Sequence, residues 1–467
     1  MDTRNPFRSS RAAVIFSSFA IAAVCNFSLI EPALSARSES VIYSFSGPDG
    51  SAPSAVAEGA NGKFYGTTQA GGANNLGTLF ELTRAGVLTT LHSFAGLEGA
   101  APNSLIVGPD GNFYGTTTSG GGSNEGTIFK LTPTGVMTTL HSFTGADGAA
   151  PNPLIFGSDG RMYGTTASGG ANGDGAIFSM GKAGSFKLLY SFSGSDGSLP
   201  GGALLEASDG FFYGVASGGG NSGFGTAFKV SSAGVFTLLI PDGAVLGGEP
   251  IGALVQGSDG NFYGVTTASF GSIYRMSSAG ASNILYVFPM QPGDGAGFQT
   301  GFIMDATGDL FGTNTFGGEF AFGGFFKFTE AGVLTHLRQL QPGSDGTLFG
   351  PLIPLANGNF LGAASVGGSN GEGVIEELLS EPIPPTLSFS ISPTSVVLSV
   401  SSTAQASWIP TDSDTCVASG AWSGQQATAE FNAVTLTFTV PGTFVYKLTC
   451  EGGGGSVTKR VSVVVTN

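Results

Sequence analysis

Charged residues are scarce in this chain, and most of those present are acidic. Only 10% of the 467 residues are charged, with 17 Lys and Arg against 32 Asp and Glu and a formal net charge of −15. Binding to nucleic-acid phosphates requires clustered basic side chains, whereas the basic residues here are scattered along the sequence. The composition therefore argues against a nucleic-acid partner.

Residue types that often carry catalysis are also few. The chain has three histidines and three cysteines, and it lacks a metal-binding His cluster, a P-loop and a serine nucleophile elbow. We therefore predict no catalytic residue, no metal site and no cofactor from linear motifs. An enzyme whose residues come from different repeats would leave no such motif, so this alternative stays open.

Glycine and phenylalanine, in contrast, are abundant, with 78 and 38 residues. They belong to a phrase of about fifty residues that returns seven times, and each copy contains a Tyr-Gly or equivalent step. The glycines of this step are Gly66, Gly115, Gly164, Gly214, Gly264, Gly312 and Gly362. A long period built of short apolar runs between turn residues is typical of a β-propeller with one four-stranded sheet per repeat.

The two ends of the repeat array predict how the ring closes. A segment of fourth-strand type, residues 41–45, precedes the first Tyr-Gly step, while the last repeat stops after its third strand, residues 374–379. If the first segment completes the last sheet, no radial edge is left unpaired. The sequence thus predicts an all-β fold with a seven-bladed β-propeller over residues 37–380, closed by the N-terminal strand.

Two stretches of the repeat carry a family resemblance. Residues 110–132 and 159–178 contain phrases of the type Asp-Gly-Asn-Phe-Tyr-Gly-Thr-Thr and Gly-Thr-Ile-Phe-Lys-Leu-Thr. In these motifs the chain resembles the bacterial GloVer tandem-repeat proteins, the "choice-of-anchor" group. The resemblance implies export, with display at the cell surface or release, and it implies no established activity.

The N-terminal residues differ in composition from the repeats. Arg4, Arg8 and Arg11 precede an apolar stretch at 12–30, and small residues follow at 33–36. This order predicts a signal peptide over residues 1–36, so that the mature chain has no membrane span and is secreted, periplasmic or at the cell surface. An uncleaved membrane anchor is the alternative.

The C-terminal residues predict a second domain. A Pro-rich linker at 381–386 follows the repeats, and alternating strands at 395–400, 403–408, 434–440, 443–450 and 457–465 suit a small Ig-like β-sandwich over residues 387–467. Cleavage of the signal peptide would leave two cysteines, Cys416 and Cys450. An even number in an exported chain predicts a disulfide between them.

Recurring polar residues of the repeats are interpreted as structural. His92 and His141 occupy a position that is Tyr in other fourth strands, which predicts ring packing, and His336 is expected to be a solvated strand residue. Acidic residues also recur in the turns between repeats. Because each turn offers one carboxylate and calcium needs six to eight oxygen ligands, turn formation is favoured over calcium binding.

The candidate binding site lies where the repeats become irregular. The connections between the second and third strands and between the fourth and first strands are long and should share one face. In the fifth repeat the first of these is short, from Gly264 to Gly271. The residues predicted to bind a ligand beside this notch are Phe316, Glu319, Phe320, Phe322, Phe270 and Asp294.

Exposed aromatic rings beside a carboxylate suit a sugar ring or an apolar partner. The alternative is that these rings fill the space left by the short loop. The sequence therefore predicts an exported binding module whose ligand is a glycan or an extracellular or envelope protein. A propeller enzyme, a lyase or hydrolase acting on extracellular polysaccharide, is the alternative function.

Overall fold

A computed structural model provides the structure of the chain. It describes residues 41–269, 271–288, 296–298, 300–316, 324–329, 331–339, 347–380, 386–411, 415–422, 424–426, 432–452 and 455–467. Within these residues the regular structure is β-strand, apart from one short 3-10 helix, Gly243–Leu246. The expectation of an all-β fold is confirmed.

The repeats form a series of antiparallel sheets, seven among the described residues, which we number 1 to 7 in chain order. Sheets 2, 3, 6 and 7 have a first strand in two pieces. Three sheets have four strands each: sheet 1 has Ser51–Glu58, Phe64–Ala70, Thr78–Leu82 and Leu88–Ser93; sheet 4 has Ser198–Glu206, Phe212–Gly218, Thr226–Val230 and Phe236–Ile240; and sheet 5 has Pro250–Gln256, Phe262–Thr266, Ser272–Met276 and Ser282–Val287. Among the sheets with a split first strand, sheet 2 has Ala100–Pro102, Ile106–Val107, Phe113–Ser119, Thr127–Leu131 and Met137–Ser142, and sheet 3 has Ala149–Pro151, Ile155–Phe156, Met162–Ser168, Ala176–Met180 and Phe186–Ser191. Sheet 6 has Ala296–Phe298, Ile303–Met304, Leu310–Phe316, Gly324–Phe328 and Leu334–Gln339, and sheet 7 has Thr347–Phe349, Ile353–Pro354, Phe360–Val366, Val374–Leu378 and Val41–Ser44.

The first strand of sheet 2 is split into Ala100–Pro102 and Ile106–Val107. Between the two pieces the backbone N–H of Asn103 donates to Thr116 O of the same sheet at 3.0 Å, and its side-chain amide donates to Pro151 O of sheet 3 at 2.9 Å. The Asn103 side chain therefore links two neighbouring sheets.

Glycine is required at the Tyr-Gly step because an aromatic ring of the third strand lies over it. A Cβ atom built on Gly115 would lie 2.5 Å from Phe129 Cζ, and one on Gly66 would lie 2.3 Å from Phe80 Cζ. Real Cβ atoms do not approach other atoms this closely, so a larger residue would displace the ring. The repeated glycine is therefore explained by packing within each sheet.

Apolar clusters join each sheet to the next one in the chain. The cluster between sheets 1 and 2, for example, contains Tyr65 and Phe113, whose ring centroids are 4.2 Å apart. Equivalent clusters lie at the following boundaries through sheets 6 and 7. A further cluster contains Phe64 of sheet 1 and Leu361 of sheet 7. The series of contacts thus returns from the last sheet to the first.

The predicted pairing of the N-terminal strand with the last repeat is confirmed. Val41–Ser44 runs antiparallel to Val374–Leu378, with Tyr43 opposite Ile375. The backbone N–H of Phe45 then donates to Gly373 O at 3.0 Å, and the Phe45 ring is fully buried. The third strand of sheet 7 therefore has partners on both sides.

One buried ion pair replaces apolar packing between sheets 6 and 7. Glu376 lies opposite Gly362, where Phe129 lies opposite Gly115 in sheet 2. Arg338 Nη1 donates to Glu376 Oε2 at 2.9 Å, and the two side chains are 5% and 0% exposed. A buried charge is tolerated when it is paired in this way.

The C-terminal residues form two sheets around one core. The first contains Thr386–Ser392, Thr403–Thr411 and Asn432–Thr437, and the second contains Ser395–Val397, Gly455–Thr466, Gly442–Gly452, Thr415–Gly420 and Gly424–Gln426. Trp408 of the first sheet and Leu448 of the second belong to the same buried cluster. The five expected strands are present with altered bounds, and three more are added. Residues 381–385 of the expected linker lie outside the described residues, and the first strand begins at Thr386.

The predicted disulfide between Cys416 and Cys450 is confirmed. The two residues lie directly opposite each other on neighbouring antiparallel strands, and both are fully buried. The bridge therefore links two strands within one sheet.

The N-terminal strand is expected to be essential for stability. Removal of residues 37–46 should lower the melting temperature sharply and promote aggregation, because it exposes the edge strand Val374–Leu378 and empties the site of the Phe45 ring. Thermal unfolding with light scattering measures both effects. A truncated chain that melts like the full-length protein would contradict the structural role given to this strand.

The buried ion pair provides a second prediction. Glu376→Gln should destabilise the protein by about 3–5 kcal/mol, because it removes a negative charge from beside the buried Arg338 guanidinium. The matched control is the double variant Glu376→Phe with Arg338→Tyr, which installs the residue types of sibling repeats and should regain most of the loss. Urea unfolding measures the free energies. A double variant less stable than the single one would refute this account of the pair.

Loss of the disulfide should destabilise the C-terminal sheets. The bridge spans 34 residues, and a loop of this length predicts a stabilisation of about 3–4 kcal/mol. Replacing both cysteines with Ala should therefore shift the unfolding transition of these sheets downward, as followed by the fluorescence of Trp408 and Trp422. An unchanged transition would show that the bridge contributes little.

Candidate functional site

The two kinds of long connection meet at the same end of the sheets. The N–H of Gly72, in a second-to-third-strand connection, donates to Gly47 O of a fourth-to-first-strand connection at 2.9 Å. Gly121 donates in the same way to Gly96 O at 2.8 Å. The expectation of a shared face is confirmed. We call it the long-loop face, and its described residues are 46–50, 71–77, 95–99, 120–126, 144–148, 169–175, 193–197, 219–225, 241–249, 267–269 and 367–373.

Acidic residues of the fourth-to-first-strand turns hold those turns in shape. Asp147 Oδ1 accepts from the Thr144 N–H at 2.8 Å and from its hydroxyl at 2.9 Å, while Oδ2 lies 2.9 Å from His141 Nε2. Burial alone would raise the pKa of Asp147, but these hydrogen bonds outweigh it and lower the pKa. The interpretation of the acidic residues as turn formers is confirmed at this turn.

Tyrosine replaces histidine as the partner of the turn carboxylate in other sheets. The Tyr190 hydroxyl donates to Asp196, and burial together with this hydrogen bond raises the pKa of Tyr190 to about 12. The equivalent hydroxyl, on Tyr43, donates to Asp49. These carboxylates already have hydrogen-bond partners within their own turns.

The histidine positions have a packing role, as predicted. His141 lies opposite Ile128, just as Tyr190 lies opposite Ile177. The His141 ring stacks on Phe186 with centroids 4.0 Å apart. His336 is half-buried, which corrects the expectation of a solvated residue.

Two negative findings apply to the described part of the chain. It contains no group of three or more His, Cys, Asp or Glu side chains arranged to hold a metal ion. It also contains no helix long and apolar enough to cross a membrane.

One of the predicted binding residues, Phe316, lies among the described residues. Phe316 ends the strand Leu310–Phe316, and its backbone pairs with that of Ala296. The remaining predicted residues, Glu319, Phe320, Phe322, Phe270 and Asp294, lie outside the described residues. Their assignment to a binding site stays a prediction.

The sequence analysis missed a cavity of about 850 Å³ where the first strands converge. All seven sheets contribute to its wall, and the lining residues include Ser54, Asn103 and Asn152 but no charged side chain. Ser54 Oγ donates to Pro102 O at 2.7 Å, and Asn152 Nδ2 donates to Pro200 O at 2.6 Å. The Pro-Ser or Pro-Asn step that recurs in the first strands of sheets 1 to 3 is the sequence signal that could have indicated this cavity.

The cavity wall suits an uncharged ligand. Its polar groups are amides, hydroxyls and backbone carbonyls, interleaved with apolar side chains such as Leu105 and Ile251. Such groups can orient a neutral, hydrogen-bonding molecule. General acid or base catalysis commonly uses His, Asp or Glu, and none of these is among the residues that line the cavity.

The repeats establish the family to which the chain belongs. The model of the Gloeobacter/Verrucomicrobia repeat matches residues 29–155 and 151–376. The chain belongs to this family, in agreement with the resemblance drawn from its motifs. No curated protein matches the chain.

Solved structures share the fold at low identity. The extracellular domain of a hybrid two-component system from B. thetaiotaomicron is 12% identical, with a TM-score of 0.55 over 91% of this chain and 57% of that one. This chain therefore spans less than two thirds of that structure. A gluconolactonase from Xanthomonas campestris is 12% identical, with a TM-score of 0.38 over 71% of this chain and 87% of that one. The first similarity shows a propeller-like fold, and the second supports no conclusion.

Proposed function

We propose that the chain is an exported binding module built on a closed seven-bladed propeller. The run of apolar clusters from sheet 1 through sheet 7 and back to sheet 1 supports the closed ring. The pairing of Val41–Ser44 with Val374–Leu378 supports closure by the N-terminal strand. In this arrangement the cavity lined by all seven first strands is the central channel.

The C-terminal sheets form an Ig-like domain in this proposal. Thr386–Ser392 pairs with Thr403–Thr411 in one sheet, and the next strand, Ser395–Val397, runs parallel to Gly455–Thr466 in the other. A first strand shared between two sheets around one core supports an Ig-like sandwich. The domains would then be residues 37–380 and 387–467, joined by a linker at 381–386.

Export is proposed from three independent features. The order of basic, apolar and small residues at the N-terminus is that of a signal peptide over residues 1–36. The disulfide suits an oxidising compartment. The structural relative from B. thetaiotaomicron is itself an extracellular domain. The protein would therefore act in the periplasm, at the cell surface or after release.

Binding is favoured over catalysis by the chemistry of the described surfaces. The observation that carries this choice is that turn carboxylates of the long-loop face, such as Asp147 and Asp196, accept backbone hydrogen bonds within their own turns, so they serve the turns. The cavity wall likewise offers hydrogen-bonding groups without an acid or a base. The proposed ligand is a glycan or an extracellular or envelope protein, bound on the long-loop face near Phe316. No described feature favours a lyase or hydrolase.

A binding screen with matched variants tests this proposal. Residues 37–467 are tested on a glycan array and against immobilised envelope proteins, as wild type and as Phe316→Ser with Phe320→Ser and Phe322→Ser. Asn103→Gly is the cavity control, because Gly201 occupies the same position in sheet 4.

The triple variant should lose binding while its melting temperature stays nearly unchanged, and Asn103→Gly should bind normally. A fall of several degrees in the triple variant would mean that the rings are core filler, because each buried Phe that is lost costs about 3–5 kcal/mol. Release of unsaturated or reducing ends from polysaccharides by the wild type would instead establish the enzyme alternative.

A further inference from the structure

One position of the long-loop face lies at the boundary between neighbouring sheets, and it is described at five of these boundaries. It is the residue before the last glycine of the second-to-third-strand connection. Its carbonyl accepts an N–H from the start of the next sheet: Ala150 N donates to Glu125 O at 2.9 Å, and Glu249 N donates to Phe224 O at 2.8 Å. The backbone of this boundary position is therefore fixed, while its side chain is free to vary.

The boundary position of sheet 4 is occupied by an exposed aromatic ring. At the other four described boundaries, which follow sheets 1, 2, 3 and 7, the position holds Leu76, Glu125, Asp174 and Glu372, and each is half-buried. Phe224 is 45% exposed. A partner that covered this ring would remove apolar surface from water, which is favourable.

A second apolar side chain lies on the loop that packs against Phe224. The N–H of Gly243 donates to Gly225 O at 2.7 Å, and a Cβ atom built on Gly248 would lie 3.3 Å from Phe224 Cδ1. The loop that carries the short helix Gly243–Leu246 therefore packs beside the ring. Val245 of this helix is 53% exposed. We call Phe224 and Val245 the apolar patch.

Charges around the apolar patch have one sign. Asp242 caps the short helix by accepting from the Ala244 N–H at 3.0 Å, and the exposed Glu249 follows on the same loop. Throughout its described segments the long-loop face contains carboxylates and neither Lys nor Arg. Its acidic residues are Asp49, Glu98, Glu125, Asp147, Asp174, Asp196, Asp242, Glu249 and Glu372.

Basic residues of the repeats lie elsewhere. Lys63 and Arg161 follow the tight turns between first and second strands, and Arg84 lies in a turn between third and fourth strands. These turns are at the opposite end of the strands from the long-loop face. With the formal net charge of −15, the long-loop face would attract cationic partners and repel acidic ones.

We infer that the apolar patch binds a protein segment that presents an apolar side chain flanked by Lys or Arg. The inference rests on the proposed binding function and names the partner of the long-loop face. The apolar anchor would cover the Phe224 ring, and the flanking cations would approach Asp242 and Glu249. An acidic polysaccharide is disfavoured at this site because its charge has the same sign as the rim.

Two synthetic peptides of equal length and leucine content test this inference, one with Lys and one with Glu at the remaining positions. Binding to residues 37–467 is measured by fluorescence anisotropy at low and at physiological salt. The Lys peptide should bind and weaken with salt, and the Glu peptide should not bind. Equal binding of both peptides, or of neither, overturns the inference.

Point variants separate the apolar patch from the general charge of the protein. Phe224→Ser should weaken the Lys peptide by about tenfold or more, and Val245→Ser should weaken it to a smaller extent. The matched control is Leu97→Ser, which removes an 83% exposed apolar side chain from another turn of the same face and should leave affinity unchanged. The melting temperatures of Val245→Ser and Leu97→Ser should match the wild type, whereas Phe224→Ser should melt slightly lower because about half of the ring is buried.

A charge variant completes the test. Asp242→Asn with Glu249→Gln should slow association and flatten the salt dependence, whereas Glu58→Gln at the tight-turn end should do neither. If Phe224→Ser and Leu97→Ser bind the Lys peptide equally, attraction is non-specific and the inference fails. If Phe224→Ser binds the Lys peptide as tightly as the wild type while the glycan and envelope screen still yields a ligand, the inference fails and the proposed function stands.

Discussion

The contact between a third-strand aromatic ring and a second-strand glycine recurs in six of the seven repeat sheets, and the packing of the array depends on it. In sheet 2 the Phe129 ring occupies the space that a side chain at position 115 would need. The ring is then fully buried against the neighbouring sheet, so the same contact builds both the sheet and the interface between sheets. The glycine of the second strand and the aromatic residue of the third strand are therefore required together in these sheets.

Sheets 5 and 7 differ from the other sheets in the residue that lies over the second-strand glycine. In sheet 5 the ring is Tyr274, which is fully buried, and its hydroxyl has no hydrogen-bond partner among the described residues. Burial raises its pKa. In sheet 7 the ring is replaced by Glu376, whose charge is met by Arg338 from sheet 6. The ion pair marks one boundary as different from the others, and it lies next to the strand that joins the two ends of the array.

Features repeated in every copy were predictable from the sequence, because glycine, turn residues and alternating apolar residues act locally. The strand Val374–Leu378, for example, lies within the expected residues 374–379. Features formed between repeats were not. The bonds of the Asn103 and Asn152 side chains to the next sheet depend on how the sheets come together, and the cavity exists only when all the first strands converge. The exposure of Phe224 depends on how the neighbouring loop packs, which no local pattern encodes.

The central claim is that the N-terminal strand joins the last sheet and closes the ring. Hydrogen–deuterium exchange on the full-length protein tests it directly, because the Phe45 amide is bonded to Gly373 O only when the strand is in place. We predict that the Phe45 amide exchanges as slowly as the amides of Val374–Leu378. Rapid exchange of the Phe45 amide, with the other sheets still protected, would contradict closure.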